Sequence, residues 1–175
     1  ARIWMHNGFL TMDKEKMSKS LGNIVTVHEL LKDTPGEALR YALLAAHYRQ
    51  PLDWSDESVA QAKTTLDRAY RALERVADIA PIGTTPPPAM LEALDDDLNT
   101  PKAMAVLAEW VTMLNTAQTP SNQAHLKGVL LAGGALLGML QQNPAAWFGA
   151  AKTSSGIDAV EVERLIAARL AARKA

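Results

Sequence analysis

The sequence predicts a mainly α protein: a short mixed N-terminal region, then an antiparallel bundle of about four helices, then a terminal helix. Three observations carry that prediction. An apolar stripe at helical spacing runs Val59, Ala62, Leu66, Ala69/Tyr70, Leu73, Val76, which keeps one face apolar over roughly five turns. Thr100-Pro101 sets a capping hydroxyl before a proline at the first helical position and heads another periodic segment. Pro81, Gly83 and the Pro86-Pro87-Pro88 run fall between periodic segments, never inside them, so they join helices rather than break them.

In chain order, residues 2–12 are apolar-rich and lead into a basic, Ser-containing stretch. Asn7-Gly8 reads either as a two-residue hairpin turn between Ile3–His6 and Phe9–Met12 or as a helix end capped by Gly8 before a strand over 9–12. Thr26 and Glu29 have the spacing of a capping box, opening a short helix through Leu30 and Leu31. Pro35-Gly36 breaks it, and Glu37–His47 forms a second helix that buries Leu39, Leu43 and Leu44. Ser55 caps the long helix of the first stripe. Leu91, Leu94 and Leu98 mark a short helix, and the one after Thr100 buries Met104, Leu107, Val111 and Leu114. Beyond the Thr119–Asn122 turn, Leu126, Val129/Leu130, Gly133, Leu136/Leu137 and Leu140 form another, in which Gly133-Gly134 marks close helix approach. Residues 149–157 read as a flexible linker, and Asp158 caps a last helix carrying Val162, Leu165, Ile166 and Leu170.

Composition excludes several classes of function. The 175 residues and 18.9 kDa suffice for a core without cross-links, and 48% hydrophobic against 21% charged residues excludes a disordered chain. Lys and Arg number 18 against 19 Asp and Glu, so any attraction to nucleic acid is local. Without cysteine the chain offers no disulfide, thiol nucleophile or thiolate metal site. His6, His28, His47 and His125 are not paired at ligand spacing, so no metal site is expected. The apolar run Val129–Leu140 falls far short of the roughly 20 residues of a membrane helix, and no basic-then-apolar signal region opens the chain.

One stretch rises above a generic helical protein: Lys16-Met17-Ser18-Lys19-Ser20, followed by Leu21-Gly22-Asn23. Two ammonium groups flank hydroxyls on a loop, and Gly22 lets the backbone turn and leaves amide N–H groups accessible. Such a loop suits a polyphosphate, whose charge the lysines offset and whose remaining oxygens the hydroxyl and amide donors fill. At an effective dielectric of about 20, one lysine–phosphate contact is worth roughly 4 kcal/mol before desolvation. A merely solvated Lys/Ser turn is the alternative for an isolated string of this kind.

The string resembles the second signature of class I aminoacyl-tRNA synthetases, and its flanks resemble the cysteinyl-tRNA synthetase family. Trp4–Gly8, Glu15–Asn23, Arg40–Leu44, His47–Leu52, Leu94–Pro101 and Glu163–Lys174 carry the likeness, in the family's order and spacing. The resemblance implies that Lys16, Met17, Ser18, Lys19 and Ser20 close on Mg-bound ATP. Lys19 stabilises the transition state of adenylate formation, with Lys16 assisting. It implies that Gly8 follows a helix end. It also implies a loop and stem-contact region over 1–56, a DALR-type helical bundle over 57–148, and a linker with the start of an anticodon-binding domain over 149–175. ATP and tRNA are the implied partners, and a cytoplasmic location follows.

The family's first signature, with its two histidines, and its zinc ligands have no counterpart here, so cysteine and zinc are expected to bind upstream of residue 1. The chain therefore reads as a C-terminal piece of such an enzyme, inactive alone. Two other readings stand beside it: a non-catalytic helical RNA-binding module, and a ligase joining cysteine to an amino-sugar. Arg49 at a helix end, and Arg164, Arg169 and Arg173 in a terminal stretch without acids, are candidate tRNA contacts. A helix C-terminus that favours cations accounts for Arg49 equally, and a solvated helix face accounts for the terminal stripe. Asp95-Asp96-Asp97 is read as acids near a helix N-terminus rather than as metal ligands.

Overall fold

The computed structural model describes residues 1–12, 14–17, 24–154, 163–165 and 169. Two compact units divide between Gln142 and Asn143. The first begins with a small sheet. Strands β1 (Leu10–Met12) and β2 (Glu15–Lys16) form an antiparallel hairpin. β1 also pairs in parallel with β3 (Leu52–Trp54), giving the order β2-β1-β3. Helices α1 (Val27–Leu30) and α2 (Gly36–Leu44) lie in the connection from β2 to β3.

The hairpin reading of Asn7-Gly8 does not hold; of the other reading, the strand after Gly8 is present as β1, but residues 1–7 form no helix to end there. Residues 1–9 form no regular element, and the hairpin lies further on, turned at Lys14 with φ 67°. Gly8 is required by proximity: a Cβ there would collide with the Gln50 carbonyl, because Gly8 N–H donates to the Tyr48 carbonyl at 2.7 Å. The sheet docks on the helices through Trp54, Leu39, Ala42, Val59 and Ala62, with Met12 and Leu30 packed alongside. α2 buries Ala38, Leu39 and Ala42, while Leu43 is 45% exposed and Leu44 half-buried. The small Ala42 packs with Val59 and Ala62, and Leu43 is turned outward.

The bundle consists of α3 (Asp56–Glu74), α4 (Pro88–Asp95), α5 (Thr100–Thr116) and α6 (Pro120–Leu136). Every member of the stripe from Val59 to Val76 is buried, and Ser55 caps α3 through the Ser58 N–H. Beyond the end of α3, Lys127 Nζ donates to the carbonyls of Val76, Ala77 and Ile79 at 2.8, 3.2 and 2.7 Å. α4 sits one position away from its expected register. Met90 and Ala93 are buried behind the buried Pro87, and Leu91 and Leu98 face solvent. The cap of α5 is Asn99, whose side chain accepts from Lys102 N–H; the Thr100 hydroxyl instead donates to the Leu44 carbonyl at 2.8 Å. Val111 is half-buried and Leu136 is exposed, whereas the other expected core positions of α5 and α6 are buried.

Gly133 allows the expected close approach, since a Cβ there would press on Met90, Leu107 and Pro87 at 3.1–3.2 Å. Gly134 instead accommodates the turn after α6, with the Met139 carbonyl 2.6 Å from an added Cβ. A tighter contact is at Gly128, where an added Cβ would collide with the Ile82 and Gly83 carbonyls. Both are backbone atoms, held in place by Ile82 N–H donating to the Ala124 carbonyl at 2.8 Å. Gly128→Ala is therefore expected to destabilise the protein by about 2 kcal/mol, as overpacking does. Gly149→Ala, with nothing near the added methyl, should instead be neutral or stabilising by up to about 1 kcal/mol. Urea unfolding of the two variants checks both.

In the second unit, α7 (Pro144–Ser154) occupies 149–154, which were expected to be linker. Ala145, Ala146, Ala150 and Ala151 outweigh the single Gly149, and the Asn143 carboxamide accepts from Ala145 N–H at 2.8 Å. Residues 163–165 and 169 are helical. Asp158, Val162, Ile166 and Leu170 lie outside the described residues.

Candidate functional site

The signature loop is entered from the β1–β2 hairpin. The left-handed residue at its turn, Lys14, is held by Asp53 on β3, whose Oδ1 accepts from Lys14 N–H at 2.7 Å. The same oxygen accepts from the Thr11 hydroxyl at 2.7 Å. Thr11 is the register partner of Asp53 on one side and of Lys16 on the other. The Thr11 hydroxyl, then the Lys14 N–H, hold the Asp53 carboxyl below its ordinary range. One carboxylate thus ties β1 and the hairpin turn to the strand beside them.

The backbone leaves the sheet at Lys16, and Met17 is half-buried. Met17 lines an open groove of about 640 Å³ with Leu10, Leu30, Leu39, Leu43 and Trp54. The Trp54 indole N–H is buried there without a hydrogen-bond partner among the described residues. Ser18, Lys19 and Ser20, expected to meet ATP, lie outside the described residues. The chain resumes at Ile24 and enters α1 through the expected capping box. Glu29 N–H donates to Thr26 Oγ1 at 3.3 Å, and Thr26 N–H donates to Glu29 Oε2 at 2.9 Å. The Thr26 backbone, then its hydroxyl, hold the Glu29 carboxyl below its ordinary range. The signature is therefore bracketed by a pinned hairpin and a capped helix.

Arg49 is bound within the chain. Its Nε and Nη2 donate to Asp97 Oδ2 and Oδ1 at 2.6 and 3.1 Å, and the Tyr48 hydroxyl donates to Oδ1 at 2.6 Å. The guanidinium also lies over the Tyr48 ring, 5.0 Å from its centroid, and His47 stacks on that ring. Arg49, then Tyr48, hold the Asp97 carboxyl down to about 2. Asp97 and Leu98 both take positive φ, 53° and 54°, a conformation that non-glycine residues keep only when their surroundings enforce it. Asp97 is thus the fastening of the sheet-side loop to the turn between α4 and α5. It lies two residues before Asn99, whose side chain caps α5. Two of the guanidinium's five N–H donors are occupied, which leaves Arg49 less donor capacity for phosphate.

Arg164 and Arg169 are exposed on helical residues of the second unit, and Arg173 lies outside the described residues. No cluster of three His, Asp or Glu suited to a metal occurs among the described residues. No helix there is long and apolar enough to cross a membrane.

A hairpin that launches the Lys/Ser signature into a capped helix, set on a helical bundle, defines a class I aminoacyl-tRNA synthetase segment. Comparison with known families agrees: residues 1–64 match the model described as tRNA synthetases class I (C) catalytic domain, and residues 89–141 match the DALR domain. The chain belongs to the cysteine–tRNA ligase family. It is 59% identical over 177 aligned positions to the cysteine–tRNA ligase of Parvibaculum lavamentivorans, with 100% of this chain aligned. Identity is 53% to that of Rhodospirillum rubrum and 52% to that of Xanthomonas campestris pv. campestris, again with 100% of this chain aligned. The chain spans 38% of the length of these curated relatives.

Proposed function

We propose that this chain is the part of a cysteine–tRNA ligase that closes on ATP and contacts tRNA. The observation that carries the reading is the signature Lys16–Ser20, within a sequence alignable end to end with cysteine–tRNA ligases. In the reaction proposed for the whole protein, the cysteine carboxylate attacks the α-phosphorus of ATP. A mixed anhydride forms, and pyrophosphate leaves with the bond electrons. A tRNA 3′-terminal hydroxyl then displaces AMP from the carbonyl carbon. Lys19 and Lys16 offset charge on the departing pyrophosphate, and Ser18 and Ser20 donate to its oxygens. Magnesium, bound with ATP, would neutralise further phosphate charge. Zinc finds no ligand set here, since cysteine is absent and the described residues hold no suitable cluster.

In this reading residues 1–56 are the loop and stem-contact region, 57–148 the bundle, and 149–175 the start of an anticodon-binding region. Arg164, Arg169 and Arg173 offer charge to the tRNA backbone. The test is cysteine-dependent ATP–pyrophosphate exchange by the full-length gene product, with the 175-residue chain alone as control. Exchange by the full-length protein and none by the chain is expected. A full-length protein that binds tRNA but exchanges nothing would leave the non-catalytic RNA-binding module as the better reading.

A further inference from the structure

We infer that Asp53 is a positioning residue for adenylate formation: by holding Thr11 and Lys14 on one carboxylate oxygen, it sets where Lys16 and the loop behind it leave the sheet. The inference rests on the function proposed above. Lys16 is the last residue of β2, and β2 pairs with nothing but β1 in this sheet. β1 and β2 share only the pairs Thr11–Lys16 and Met12–Glu15, and so short a ribbon is marginal by itself. Its turn depends on Lys14 keeping a left-handed backbone, which a lysine holds only when something outside the turn enforces it.

Asp53 supplies that constraint. Its Oδ1 accepts from the Lys14 N–H and the Thr11 hydroxyl, both at 2.7 Å. The next residue, Trp54, is buried, and Ser55 caps α3. The carboxylate therefore stands on a rigid element, as a group that positions others requires. Asp53 itself is exposed, on the solvent side of the sheet. Replacing it removes no core packing, so its role in positioning separates from a role in stability.

The test uses the full-length protein, with adenylate formation measured in single turnover and normalised to titrated active sites. Asp53→Ala should lower the rate by about ten- to a hundred-fold with the cysteine KM within about twofold, since small misplacements of a reacting loop have effects of this order. Asp53→Asn retains an oxygen acceptor and should stay within about threefold of wild type. Hydrogen exchange at the Lys14 amide should quicken at least about tenfold in Asp53→Ala and not in Asp53→Asn, with α3 amides unchanged in both.

An unimpaired Asp53→Ala, beside a wild type that exchanges pyrophosphate, overturns this proposal alone. Equal impairment in both variants also overturns it, because the carboxylate charge would then matter rather than the hydrogen bonds. A wild type without cysteine-dependent exchange overturns the function proposed above and this inference with it.

Discussion

Replacing Lys19 by alanine in the full-length protein is expected to slow adenylate formation by about a hundred- to a thousand-fold, as losing one donor to developing charge does. Cysteine affinity should stay within about twofold, because the lysine's interaction grows as pyrophosphate departs and adds little to the ground state. Single-turnover formation of cysteinyl-adenylate, with cysteine affinity measured alongside, separates the two effects. A solvated lysine on a mobile turn would leave both values unchanged, so a wild-type rate refutes the role assigned to Lys19. Lys16 starts from a strand whose position Asp53 fixes. Lys19 lies beyond that support, and its contribution depends on how the loop meets the nucleotide.

Where the chain's own periodicity runs long, sequence and structure agree. The α3 stripe holds at every position because so many spaced residues leave one possible inward face. The Thr26–Glu29 box and the Ser55 cap depend on residues three apart, so local chemistry determines them. Short elements fare worse. α4 offers leucines at 91, 94 and 98, yet the prolines before it turn Met90 and Ala93 inward. At α5, Asn99 and Thr100 are both good caps, and only the Leu44 carbonyl nearby draws Thr100 away.

The candidate site divides along the same line. The signature is legible as a string, whereas its supports are not. Thr11 and Asp53 lie 42 residues apart, and Arg49 and Asp97 lie 48 apart. No periodic pattern links such pairs. The one local hint was an acid between two apolar residues in Leu52-Asp53-Trp54, which alternation would place on the solvent face of a strand. Gly128 was equally silent, since only the Ile82 segment folding onto α6 gives it a reason.

The second large effect is expected at Glu37, a carboxylate only 8% exposed. It stands in the first turn of α2 and joins three parts of the first unit. Its Oε2 accepts from the Tyr70 hydroxyl of α3 at 2.7 Å and from Gln142 Nε2 at 3.1 Å. Its Oε1 accepts from Leu140 N–H at 2.7 Å, in the turn that follows α6. That turn holds Leu140 at φ 60°, a strain that the carboxylate helps to maintain. Glu37→Ala strands the Leu140 N–H and weakens the bonding of a fully buried Tyr70 hydroxyl. At roughly 1–3 kcal/mol for each buried group left short, the variant should lose about 3 kcal/mol. That is a large share of the 5–15 kcal/mol typical of a domain, and urea unfolding measures it.

Tyr70→Phe alone removes a donor while Glu37 keeps its other partners, so it should cost about 1 kcal/mol. The double variant should lose less than the sum, because both single variants break the same Tyr70–Glu37 bond; strict additivity would show that the two side chains do not act together. The network also has a pH signature. Burial, then the bond to Glu37, pushes the Tyr70 phenol above its ordinary value near 10. A raised folded value means the contribution is fully present below pH 10 and is lost as pH climbs above it. Stability should therefore fall more steeply above pH 10 in the wild type than in Tyr70→Phe, and parallel curves for the two proteins would remove Tyr70 from the account of alkaline unfolding.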